Sequence, residues 1–372
     1  MRKSRLLTLV FAFTLVAAFP AGARPVAPQP EGTCAPPGVW VTRTSPPTPI
    51  VRAWGAFFPT NGKFYLMGGR SADPVGSDFT NVNIYDPLLD SWSTSTATFS
   101  DAQVNNMVGG VLDFGGTPYI IVVGGSAAGA TNASSSEVRQ YDPVADMMTT
   151  LTSDPWPGNT NGATLPGGAA VLGNKLYVFG GFHIGIGMIS AIYRFDPAAT
   201  AGSRWSTMTT TLPNPIGYIP TATSGSLIYL LGGSAAVGTP LTLADTTESS
   251  SYDPLADLIA PIATIPRATG ETRAVTVLDG SIWVLGGGRV APNPSNEVDV
   301  YDPVGNVWSL GPAFSTPRRN FAADIDPIAG TVWATGGYDA SGTVLLDINE
   351  QFNPCNIVDL IFADGFDGPA MP

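Results

Sequence analysis

Along most of the chain the apolar positions fall in short runs bounded by glycine, proline and aspartate. Residues 64–67, 119–123, 176–179, 227–231, 282–285 and 332–334 are such runs. They are rich in aromatic and β-branched side chains and too short for helices. Long stretches with apolar residues at i, i+3, i+4 and i+7 do not occur, so the pattern predicts many short strands. Each run ends in a glycine pair: Gly68-Gly69, Gly124-Gly125, Gly180-Gly181, Gly232-Gly233, Gly286-Gly287 and Gly336-Gly337. A variable loop follows, then a second strand ending in a turn: "IYDP" (84–87), "QYDP" (140–143), "RFDP" (194–197), "SYDP" (251–254), "VYDP" (300–303) and "QFNP" (351–354). Trp92, Trp205 and Trp308 follow three of these turns, with Met148 and Ile259 in that place in two others.

The glycine-rich stretch "KLYVFGGFHIGIG" (175–187) poses a choice between a phosphate cradle and turn punctuation. No sister site carries both later glycines, and no helical pattern follows, so punctuation is the better reading.

Six copies with a period near 50 residues define a repeat architecture that resembles the kelch repeat. The resemblance covers about residues 34–359. It implies an all-β fold, a six-bladed β-propeller of four-stranded antiparallel blades. Glycine at the end of the second strand permits positive φ or close backbone approach. Asp-Pro opens a turn, and the aromatic residues supply apolar faces between neighbouring sheets.

The sixth copy stops after "QFNPC". Its missing outer strand lies at the other end of the chain: residues 39–69 match 307–337 without a gap, and Trp40 to Gly68 spans the same length as Trp308 to Gly336. The N-terminal strand is therefore expected to complete the last blade, which removes two sheet edges. Cys34 precedes that strand and Cys355 sits in the turn leading to it, so a Cys34–Cys355 disulfide is expected at the seam.

Arg2, Lys3 and Arg5 precede an apolar run from Leu6 to Phe19, and Ala21-Gly22-Ala23 follows. Residues 1–23 thus have the form of a secretory signal, with 24–33 a linker and 360–372 a tail beyond the propeller. This implies a secreted, periplasmic or cell-envelope location. The signal carries three of the 17 cations and none of the 29 acidic residues. So acidic a chain does not bind nucleic acid through its general surface.

One histidine and two cysteines exclude a copper-radical oxidase and a His-rich zinc site, and no cofactor is expected. "GGSAAG" (124–129) misses the serine-elbow pattern at Ala128. The pairs Asp86/Asp90, Asp142/Asp146 and Asp253/Asp257 read as turn caps rather than calcium ligands. Asn132-Ala-Ser134 is a formal glycosylation acceptor.

In a kelch-like strand order, the loop after each glycine pair shares a face with the segment entering the next innermost strand. Arg70 and Arg289 follow glycine motifs, and Arg52, Arg267, Arg273, Arg318 and Arg319 precede or begin innermost strands. All belong to repeats five, six and one. Tyr218, Phe182 and His183, with Trp156, Asn105, Asn106 and Asn161, occupy matching positions of repeats two to four. Arginine forks suit carboxylates, sulfates and phosphates, and aromatic faces suit sugars or peptide side chains. The alternative role for these arginines is bonding carbonyls or pairing with Glu271, Asp324 and Asp326. The expected function is a non-catalytic binding module for an acidic glycan or a protein, with no nucleic-acid partner and no membrane span once the signal is removed. The resemblance also admits a sialic-acid mutarotase using Glu271 with Arg52, Arg273 and Arg319, or a structural envelope protein.

Overall fold

The computed structural model describes residues 38–129, 133–288 and 293–353. Six four-stranded antiparallel sheets follow one another, each with its strands in order from the axis outward. Blade one is built of Trp54–Phe58, Lys63–Met67, Asn81–Asp86 and Ser91–Thr98. Blades two to five repeat the plan, beginning at Val108, Thr164, Thr221 and Arg273. In blade six the three strands Ala322–Ile325, Val332–Thr335 and Asn349–Phe352 are completed by Trp40–Arg43, with Trp40 opposite Phe352 and Arg43 opposite Asn349. The ring closes as the repeat spacing requires. An extra hairpin, Ser234–Val237 with Thr242–Asp245, rises from blade four.

The core lies between blades rather than within one. Six buried clusters are described, each shared by neighbouring sheets; Phe57, Phe64 and Tyr85 of blade one, for example, pack with Ala322 and Trp333 of blade six. A single sheet has two faces to bury, so only the closed ring satisfies both.

The glycine pairs work at these seams. Gly337 N–H donates to Ile50 O at 2.8 Å across the closure, as Gly69 does to Val104 O and Gly233 to Thr269 O. Gly336 has φ +71°, and a Cβ there would lie 2.1 Å from Ile50 O, so no side chain fits.

The Asp-Pro turns lock the outer strands. Asp142 accepts bonds from Val144 and Ala145 N–H within its turn. Asp146, the second aspartate, accepts the Tyr141 hydroxyl at 2.9 Å and reaches the preceding blade at Thr96 N–H, 2.7 Å. Asp90, Asp257 and Asn306 do the same with Tyr85, Tyr252 and Tyr301 and with Thr44, Thr209 and Ala263 N–H. The indoles of Trp92 and Trp308 donate to Thr44 O and Ala263 O, and that of Trp40 to Pro312 O. Trp40 thus does for blade six what Trp308 does for blade five.

Candidate functional site

We call the end of the axis where innermost strands begin, and where the glycine pairs sit, the upper end. Just before each innermost strand the chain must turn from the linker into the axial direction. Five blades make that turn with a non-glycine residue at positive φ: Arg52 (60°), Asn106 (58°), Tyr218 (51°), Glu271 (55°) and Asn320 (54°). A left-handed residue costs roughly 1–2 kcal/mol outside glycine, with Asn the mildest case. A belt of backbone bonds holds them there. Glu271 N–H donates to Tyr218 O, Asn320 N–H to Glu271 O at 2.7 Å, Arg52 N–H to Asn320 O at 2.8 Å, and Asn106 N–H to Arg52 O at 3.0 Å. These five residues surround a gap of about 20 Å³, room for a single water.

Around this constriction lies a polar cluster from blades five, six and one. Arg319 pairs with Glu271 and donates to Gly342 O. Arg319 lies 5.3 Å from the Tyr338 ring centroid and Arg52 lies 6.0 Å from it, so the ring is flanked by two guanidinium groups. The Tyr338 hydroxyl donates to Asp73 at 2.8 Å and accepts from Arg70 at 3.0 Å. The Asp73 carboxyl is held below its usual range, first by that hydroxyl, against burial, and then by Arg70. Burial opposes the charge of Arg52, but Glu271, Tyr338 and Tyr218 outweigh it and keep its pKa above the ordinary value. Tyr218 meets Phe182 at 6.1 Å between ring centroids. Asn161 bonds the half-exposed ring of His183 at 3.0 Å on the same side of blade three.

The structure therefore brings Arg52, Arg70, Arg273 and Arg319 together with Tyr218, and sets Phe182 beside them. It places Arg267 and Arg318 differently. Arg318 is fully buried, pairs with the buried Glu350 and donates to Gly336 O; Arg267 pairs with Asp299 at 2.7 Å and donates to Gly286 O at 2.9 Å. Arg139 does the same in blade two with Asp101, Glu137 and Gly124 O. These three guanidinium groups each clamp the first carbonyl of a glycine pair. Trp156 lies in the core between blades two and three, and Asn105 is buried on Asp78 and Ser126 O. Arg289, Cys34 and Cys355 lie outside the described residues. Tyr338, central to the cluster, was not singled out from the sequence. Its signal is positional, since it follows Gly336-Gly337 as Arg70 follows Gly68-Gly69.

Below the constriction the axis widens into a channel of about 520 Å³ walled by the six innermost strands. Arg273 lines both spaces. Its guanidinium reaches past blade six to Ala53 O at 3.3 Å. Deeper in the wall, Asp324 accepts a bond from Phe57 N–H at 2.7 Å.

Such a ring is a six-bladed β-propeller, and its glycine pairs, aspartate turns and outer-strand tryptophans are similar to those of kelch repeats. Residues 272–315 match the model of the Kelch motif. Kelch-like protein terF of Aspergillus terreus is 26% identical over 263 residues, 68% of this chain and 53% of that protein. Kelch-like protein 25 of Xenopus tropicalis is 27% identical over 254 residues, 65% of this chain and 37% of that protein. The chain thus spans about half or less of the length of these curated relatives. The solved structure of YjhT shares the fold, with a TM-score of 0.61 at 16% identity, covering 82% of this chain and 95% of that one.

Proposed function

We propose that the protein is a secreted, non-catalytic binding module whose upper end receives a carboxylate-bearing partner, an acidic glycan or an acidic peptide segment. A kelch propeller is in general a scaffold for protein interaction, which supports the binding half of this reading. The observation that carries the site is the belt of five left-handed residues. Backbone strain repeated in five blades around one gap supports a site whose side-chain directions matter. The two guanidinium groups flanking Tyr338 supply anion-directed forks beside an aromatic surface. An array of acidic glycans and peptides tests this. Salt-sensitive hits are expected, and Arg52→Ala with Arg319→Ala abolishes them; an array without hits refutes the reading.

A second reading has its own support. Glu271 contacts Arg319 and faces Arg52, which sets an acid/base group beside anion-binding forks. That arrangement suits a mutarotase acting on a carboxylated sugar such as sialic acid. Anomer exchange followed by NMR decides it, since a rate equal to buffer eliminates it.

The exported setting and the Cys34–Cys355 disulfide belong to the same proposal. Gly38 packs against Asn353, with a Cβ there falling 2.2 Å from Asn353 O. Those two residues stand four and two positions from the cysteines. Non-reducing mass spectrometry is expected to find one cross-linked 34–355 peptide, and free thiols contradict it.

A further inference from the structure

The axial channel below the constriction contains two opposite charges, Arg273, which also borders the upper gap, and Asp324. Arg273 forms its upper limit. The guanidinium makes long contacts of 3.3 Å to Ala53 O and 3.5 Å to Thr272 O, and its Nε has no partner. Among the described residues no carboxylate pairs with it. Asp324 sits further down the wall. Its carboxylate holds Phe57 N–H, and among the described residues no cation pairs with it. Both side chains are half-buried and line the open space, so neither is sealed in the core.

Blade one supplies a ruler between them. Arg273 touches the carbonyl of Ala53 and Asp324 the amide of Phe57, on one extended segment. Three strand steps separate those groups, about 10 Å. A partner group stands about 3 Å from each charge, so a ligand bridging them carries its own charges between about 4 Å apart, in line, and about 10 Å apart, lying alongside the wall. The wall between is built largely of small residues, among them Gly55, Gly168, Ala274 and Ala323. At the lower end the space is rimmed by Pro59 and Pro327, both exposed, whereas the upper gap admits about one water. Entry is therefore from below.

We propose that this channel is a second binding site, for a slender zwitterion that enters from the lower end with its anionic group leading to Arg273 and an ammonium group resting at Asp324. A free carboxylate and an aliphatic amine separated by an extended chain of about five carbons meets this description. The site shares Arg273 with the border of the upper gap but none of Arg52, Arg70, Arg319 and Tyr338.

The test uses 6-aminohexanoate, hexanoate, hexylamine and glycine as probes in ligand-observed NMR titrations at pH 7.5, with the full chain. 6-Aminohexanoate is expected to bind at least tenfold more tightly than hexanoate or hexylamine, and glycine, too short to bridge, not to bind. Asp324→Asn is expected to weaken 6-aminohexanoate about tenfold and leave hexanoate unchanged; Arg273→Gln weakens both. Arg52→Gln with Arg319→Gln, at the upper end, changes none of these affinities. Equal affinities for the zwitterion and the single-charge probes overturn the proposal, as does no binding by any probe or an Asp324→Asn variant that binds 6-aminohexanoate normally. If Arg273→Gln does not fold, the wild-type probe series and Asp324→Asn still decide. Loss of glycan-array binding in the Arg52/Arg319 variant with channel binding intact separates the two sites.

Discussion

Asp324→Asn should make this protein more stable at neutral pH. Burial in the channel wall pushes the Asp324 carboxyl from 3.8 up to about 6, against the bonds it receives from Phe57 and Ile325 N–H. At 1.36 kcal/mol per unit, that rise corresponds to about 3 kcal/mol. The sign follows from proton binding. Between pH 4 and 6 the folded chain holds a proton here that the unfolded chain has released. The contribution of Asp324 is therefore most favourable below pH 4 and is lost as pH rises through about 6. The asparagine variant has no such loss, and its amide oxygen still accepts the Phe57 bond. Urea unfolding followed by tryptophan fluorescence, from pH 4.5 to 8, measures the difference. The variant is expected to gain stability on the wild type as pH rises, reaching about 3 kcal/mol at pH 8. Other carboxylates cancel in this difference. Asp146, for example, moves the other way: burial opposes its ionisation, but bonds from Thr96 and Tyr141 outweigh it and hold it low. A difference that does not vary with pH, or an asparagine variant less stable at pH 8, refutes the reasoning.

Three further outcomes follow from the same contacts. Arg318→Ala leaves Glu350, 1% exposed, without its cation and is expected to cost about 3–5 kcal/mol in urea unfolding, while Arg318→Met with Glu350→Leu recovers most of it. Trp40→Ala removes the bond to Pro312 O and the contacts with Phe314 and Phe352, and is expected to cost about 3 kcal/mol; Trp40→Phe, which keeps most of the packing, costs about 1. Asp146→Ala severs the link from Tyr141 to Thr96 of the preceding blade, and thermal melts are expected to show a loss of about 2 kcal/mol, far beyond an exposed aspartate such as Asp279.

The ring itself was legible because its parts recur. The glycine pairs, the Asp-Pro turns and the equal Trp40–Gly68 and Trp308–Gly336 intervals each repeat a physical constraint, and the structure meets each in the same way. The approach of Arg52, Arg70, Arg273 and Arg319 to one end of the axis follows from loop order around a closed ring, whereas Arg267 and Arg318 lie elsewhere. Which arginines were committed to buried pairs was not legible. Arg318 and Glu350 are 32 residues apart, and Arg267 and Asp299 as many; nothing local joins them. Asp324, read beforehand as a partner for an arginine, faces the channel instead. The left-handed belt left little trace because three of its five positions hold Arg, Tyr and Glu rather than glycine or asparagine. Tyr338 was hidden for a similar reason, as one aromatic among many, distinguished only by its position after a glycine pair.

The central claim is that the upper end of the axis is where the propeller meets its partner. Hydroxyl-radical footprinting with mass spectrometry, run with and without the tightest array-selected ligand, tests it most directly. Protection is expected at Tyr218, Phe182 and His183, with the lower-end turn tips Leu88, Val144 and Leu255, all at least 75% exposed, unchanged. Protection at those tips, and none at Tyr218, contradicts it.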